Sequence, residues 1–136
     1  MATSPTSLAP AAIERLAGDL RSALARHEIA AAQRHFAGLR RYGAATLDLA
    51  WIAAGRFDAY WERDLSPWDM AAGIILVREA GGFVSDLDGH DAMFTKNHIA
   101  AGNETMHREL LKLLKEAGKE ANKIASPAAS KEASAP

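Results

Sequence analysis

Residues 57–85 read FDAYWERDLSPWDMAAGIILVREAGGFVS, and the succession of patterns in this stretch decides the fold. Phe57 to Glu62 alternates, which predicts a strand with Phe57, Ala59 and Trp61 on one face and Asp58, Tyr60 and Glu62 on the other. Ser66 is a natural N-cap, Pro67 suits the first helical position and Asp69 stands three after the cap, so a helix is predicted over 67–80. Met70, Ala71, Ala72, Ile74, Ile75, Leu76 and Val77 make that helix apolar almost all round, which predicts burial between layers. Gly81-Gly82 ends it, and Phe83-Val84-Ser85 reads as a second, short strand. Strand, buried helix and strand in succession point to an α/β layered sheet-and-helix domain.

The flanks extend the same alternation. Ala44–Ala54 is Ala- and Leu-rich with Asp48 as its single charge, and Gly55 is a natural stop, so it reads as a helix. Further upstream, Ile13, Leu16, Ala17, Leu20 and Leu24 recur at helical spacing and predict an amphipathic helix over 10–26. Gly18 and the polar stretch Arg26–Glu28 weaken it, with a second helical piece expected over 29–37. Downstream, Asp88-Gly89 is suited to turn a hairpin between the strand at 83–85 and its neighbour, which predicts a mixed sheet. Ile99-Ala100-Ala101 is a further strand, and Gly102-Asn103 caps a helix over 104–117 whose stripe is Met106, Leu110, Leu113, Leu114 and Ala117. Four zones result: a flexible leader at 1–9, a helical N-terminal segment at 10–37, the domain proper at 38–117, and an Ala/Ser/Lys-rich tail at 118–136. That tail has one large apolar residue, Ile124, and is expected to stay disordered.

The chain has 136 residues, the size of one domain, with 16 basic against 17 acidic side chains and a net charge of −1. No net positive field attracts phosphate backbones, so a nucleic-acid partner is not expected. No apolar run approaches the ~20 residues that span a bilayer, so no membrane association is expected. Glu14, Arg15 and Asp19 fall where the apolar core of a secretory signal would lie. The absence of cysteine excludes disulfides, thiolate metal sites and a cysteine nucleophile, and it fits a cytoplasmic location.

Two chemical motifs fail on their spacing. Asp86-Leu87-Asp88-Gly89-His90-Asp91 begins like a calcium loop, but the sixth and twelfth positions hold Asp91 and Asn97 where glycine and glutamate are needed. The five histidines (27, 35, 90, 98 and 107) show no pairing at ligand spacing and read as surface or capping residues. What remains is Gly43-Ala44-Ala45, Glu62 and Asp69. The first presents backbone N–H groups at a helix start, suited to anionic oxygens. Glu62 ends a strand, where α/β sheets place ligands. Asp69, in the first turn of a helix, is a hard oxygen ligand suited to Mg²⁺. Each has an ordinary alternative: Ser66-x-x-Asp69 is also a capping box, Gly43-Ala44-Ala45 a tight turn into a helix, and Glu62 an exposed strand end.

At these residues the chain resembles the inositol monophosphatase family. The runs Arg41–Ala50, Ala53–Glu62, Pro67–Gly73, Glu79–Gly82 and Ile99–Asn103 carry the resemblance, which covers about residues 38–117. The Trp68-Asp69-x-Ala-Ala-Gly element is similar to that family's second signature. The resemblance implies a Mg²⁺-dependent phosphomonoesterase that converts an inositol phosphate and water to inositol and phosphate. It implies Asp69 as metal ligand, Gly43, Ala44 and Ala45 as the substrate-contacting helix start, and Glu62 as the carboxylate for a substrate hydroxyl; Asp69 is counted with these among the substrate-binding residues. The family's first signature, Asp-Pro-x-Asp-Gly-Thr, supplies the remaining metal carboxylates and is missing; the single Asp-Gly here is Asp88-Gly89. No complete catalytic set is therefore expected, and the chain reads as a truncated C-terminal portion of such an enzyme. The alternative is a non-catalytic interaction or oligomerisation module derived from the fold. An uncovered layer predicts homo-oligomers in either case.

Overall fold

A computed structural model describes residues 26–125, together with Leu24. Helix α1 (26–35) leads through an irregular segment to α2 (Ala45–Ala53), β1 (Ala59–Arg63), α3 (Pro67–Glu79), β2 (Phe83–Ser85), the single-turn α4 (Met93–Lys96), β3 (His98–Gly102) and α5 (Glu104–Ala125). The strand order is β1-β3-β2. Both pairings are antiparallel, with Glu62 opposite Ile99 and Val84 opposite Ala101. The described sheet is therefore antiparallel throughout, in place of the mixed sheet expected. β2 does pair with its successor in sequence, but a hairpin turn alone does not join them. The Asp86–Gly89 turn is followed by α4, and left-handed Asn97 (φ 57°) swings the chain into β3.

Alternation along the strands makes three layers. Ile99 and Ala101 of β3, with Tyr60 and Val84, face Leu49 and Ile52 of α2 and Met70, Ile74 and Val77 of α3. Ala100, with Ala59 and Trp61, faces Leu110 and Leu114 of α5 and Phe36 beyond α1. The face assignment for β1 thus holds from Ala59 onward. Phe57 departs from it because it precedes the strand, and it joins Tyr42 and Trp51 in an aromatic trio with centroids 4.9–5.9 Å apart. That trio fastens the segment before Gly43 to α2.

Three further expectations change. α3 buries Met70, Gly73, Ile74 and Val77, but Trp68, Ile75 and Leu76 lie exposed, so among the described residues it is covered on one side and not sandwiched. No helix break occurs at residues 26–28, because Glu28 points inward and its carboxylate takes the Arg63 guanidinium of β1. α5 continues to Ala125, past the stop expected at Ala117, because Ala117 and Ala121 keep its stripe buried. The expected leader at 1–9, all of the helix expected over 10–26 except Leu24 and Arg26, and the last part of the tail, 126–136, lie outside the described residues.

Candidate functional site

Gly43 adopts φ +76°, a left-handed conformation that turns the chain into α2 and that a side chain would strain. Ala44 is the N-cap in extended conformation and offers no side-chain cap, so the first N–H groups of α2 keep their donor capacity. On α3 the Ser66 backbone N–H donates to Asp69 Oδ2 at 2.9 Å, so the capping box forms. Thr46 Oγ1 donates to the Asp69 backbone carbonyl at 2.8 Å and ties the two helix starts together. A concavity of about 390 Å³ results, lined by Gly43, Ala44, Ala45, Thr46, Glu62, Leu65 and Asp69. All five residues singled out in the sequence meet here.

Glu62 is held from two sides. Tyr60 donates its hydroxyl to Oε2, and Arg41 Nη2 lies 3.2 Å from Oε1. Burial and the hydrogen bond to Glu62 push the Tyr60 phenol well above the ordinary tyrosine range. Asp48, buried on α2, is also pushed upward, first by burial and then by the Glu62 carboxylate. Thr46, Arg41, Tyr60 and Asp48 were not singled out in the sequence. Tyr60 could have been, since it shares a strand face with Glu62 two residues on; Arg41 and Thr46 lie too far away in sequence to leave a local signal.

Among the described residues, no three His, Asp or Glu side chains come close enough to share a metal ion. Asp69 has one oxygen committed to its cap, and both oxygens of Glu62 are engaged. Mg²⁺ demands six oxygens in near-ideal geometry, so these residues alone do not fit it. A larger concavity of about 590 Å³ lies along β1 among Phe36, Arg40, Phe57 and Trp61; it shares only Glu62 with the first.

Two other polar clusters are structural. Buried Asp86 accepts the N–H groups of Asp88 and His90 through Oδ1, at 2.8 and 2.9 Å, and Lys96 Nζ reaches both Asp86 and Asp88. Burial alone would raise the pKa of Asp86, but the N–H groups and the Lys96 ammonium together hold it below the ordinary carboxylate range. The histidines depart from the surface role in two cases. His98 Nδ1 accepts the Leu87 N–H at 3.1 Å, and His107 Nε2 lies 2.8 Å from Ser85 Oγ; burial pushes both imidazoles down.

The sequence profile of the inositol monophosphatase family matches residues 6–119. An inositol-1-monophosphatase of Mesorhizobium japonicum is 58% identical over 78 residues, which are 57% of this chain and 29% of that protein. The Nus factor SuhB of Pseudomonas aeruginosa is 60% identical over 75 residues, 55% of this chain and 28% of that protein. The crystal structure of the extragenic suppressor protein SuhB from Bartonella henselae superposes with a TM-score of 0.67 at 49% identity, covering 68% of this chain and 39% of the other. An inositol monophosphatase from Anabaena gives 0.64 at 42% identity. The chain thus spans under a third of the first two relatives and about two fifths of the Bartonella structure.

Proposed function

Because the chain belongs to the inositol monophosphatase family, we propose that it forms the substrate-recognition side of an inositol-phosphate phosphatase, as a C-terminal portion that is catalytically incomplete by itself. The observation that carries this reading is the convergence of Gly43, Ala44, Ala45, Glu62 and Asp69 on one concavity. The uncapped N–H groups of α2 receive anionic oxygens of a phosphate monoester, helped by the helix dipole. Glu62 accepts a hydroxyl of the polyol, and Tyr60 and Arg41 hold its carboxylate in place for that bond. Arg41, being exposed, can move from Glu62 to a bound anion. Asp69 offers one carboxylate oxygen toward a Mg²⁺ set whose other ligands come from elsewhere. In the reaction proposed for the completed enzyme, water adds to phosphorus, the ester P–O bond breaks and the inositol oxygen leaves with a proton. This chain's own share is to bind and orient the ester, which supplies a large part of a phosphoryl-transfer barrier reduction.

Titration of the isotopically labelled full chain with inositol 1-phosphate tests the reading by NMR. Amide shifts should concentrate at residues 43–46, 62 and 69. Glu62→Gln should weaken the inositol ester and leave phenyl phosphate, which lacks the hydroxyl, much less affected. Equal losses on both ligands, or shifts located elsewhere, refute the assignment. A second reading, a non-catalytic interaction module in the cytoplasm, is supported by the uncovered face of α3 and by a relative that carries the name Nus factor. Homo-oligomer formation is compatible with both.

A further inference from the structure

The turn at residues 86–90 is fastened to the sheet by a histidine that acts as an acceptor. His98 opens β3, and its Nδ1 takes the Leu87 N–H at 3.1 Å. Among the described residues that N–H has no second partner. Leu87 is buried in one cluster with Ala100, Leu110 and Leu114, and a Cβ built on Gly89 would meet Leu111 Cδ1 at 3.5 Å. The turn therefore forms part of the seat on which α5 rests.

We infer that His98 is an acid-sensitive catch: its neutral ring holds the 86–90 turn in place, and a proton on Nδ1 releases the turn and withdraws Leu87 from beneath α5. An accepting Nδ1 requires the tautomer with its hydrogen on Nε2. The next proton can enter only at Nδ1, where it meets the Leu87 N–H head-on, so an acceptor becomes a donor and the bond is lost. The surrounding groups work against the cation. Arg63 of β1 stands opposite His98 in the sheet and, although paired with Glu28 of α1, disfavours a second positive charge. Lys96 of α4 acts in the same direction, and the Asp86 and Asp88 carboxylates oppose it. Those carboxylates are already committed. Asp86 accepts the Asp88 and His90 N–H groups, has His90 Nδ1 4.0 Å away and shares Lys96 with Asp88. From α5 the cluster receives the apolar Leu110 and Leu114. Burial is the largest influence on the ring, whose pKa lies below the ordinary 6.5. The neutral ring thus contributes stability that is present above pH ~6.5 and is lost as pH falls through the depressed folded value. His107 does not duplicate the catch. Ser85 Oγ donates to the Asp86 carbonyl at 2.6 Å, so His107 donates to that oxygen from Nε2 and titrates at Nδ1 without losing the contact.

NMR of the isotopically labelled full chain, between about pH 8 and 4.5, tests this inference. Asp86 and Asp88 are both held below the ordinary carboxylate range and so stay ionised over most of that interval. The His98 ring nitrogens should report the Nε2–H tautomer at the upper end and a titration centred below pH ~6.5. Hydrogen-exchange protection of the Leu87 amide, corrected for the pH dependence of free-peptide exchange, should fall roughly tenfold or more with the same midpoint. Protection of Leu49 in α2, on the other side of the sheet, should change by less than about twofold. His98→Asn, whose side-chain oxygen can accept in place of Nδ1 and takes no proton, should keep Leu87 protected at both ends of the interval. His98→Leu should bring its protection at the upper end down to the acid value of the unaltered chain. The unaltered chain alone suffices to decide the matter, since the ring and the amide must titrate together. A ring that stays neutral throughout, or one that titrates with no loss at Leu87, overturns the proposal. A loss that persists in His98→Asn, or that spreads equally to Leu49, overturns it as well.

Discussion

Tyr60 and Glu62 stand on one face of β1 and share a proton-bearing contact that sets the character of the site. The phenol's folded-state pKa is raised above its unfolded value. Tyr60 therefore adds stability that is fully present below pH ~10, the ordinary tyrosine value, and is lost as pH rises through the raised folded value. Stability measured by urea should fall from about pH 10 upward, and Tyr60→Phe should flatten that decline; an unchanged decline contradicts the coupling. Asp69 permits a sharper separation of roles. Asp69→Ala removes the acceptor of the Ser66 N–H and should cost about 1 kcal/mol, whereas Asp69→Asn retains an oxygen there and should cost less than half of that. Equal costs for the two in urea melts show that the cap contributes nothing. The cap was legible as Ser66-Pro67-x-Asp69, because capping is local chemistry. Thr46, 23 residues from Asp69, was not: its hydroxyl finds the Asp69 carbonyl only after α2 and α3 pack.

At the scale of elements, α2 and α3 approach closely because Gly73 has no side chain. A Cβ added there would lie 2.4 Å from Leu49 Cδ1 and 2.5 Å from Leu49 Cβ, and Leu49 is fully buried. Replacing a helical glycine by alanine ordinarily gains up to about 1 kcal/mol. Here overpacking outweighs that gain, because the Leu49 Cβ cannot yield without moving the backbone. Gly73→Ala should destabilise by ~2 kcal/mol net, read as a lower melting temperature; a neutral or stabilising result contradicts the packing described. The element boundaries themselves were readable, since β1, α2, α3 and β2 are bounded by Ser66, Gly55 and Gly81-Gly82, each of which acts on its own neighbours. Partnership was not. The antiparallel order β1-β3-β2 depends on how the 86–97 connection closes around buried Asp86, and Glu28 becomes an inward residue only because Arg63, 35 positions later, meets it.

At the scale of the molecule, the described residues form three layers around a three-stranded sheet and leave a concavity at the starts of α2 and α3, the site proposed for substrate recognition. The apolar character of α3 was plain in the sequence, but its uncovered face was not, because a helix that is apolar all round does not say how much of the fold accompanies it. The proposal at this scale is that the chain binds the ester but does not hydrolyse it by itself. The described carboxylates do not gather into a metal-holding group, and the chain spans under a third of the first relatives it matches. The most direct measurement is phosphate release from inositol 1-phosphate by the purified full chain at millimolar Mg²⁺, in parallel with binding of the same ester. The account predicts binding that depends on Glu62 and no release above background; robust, Mg²⁺-dependent turnover by this chain would contradict it.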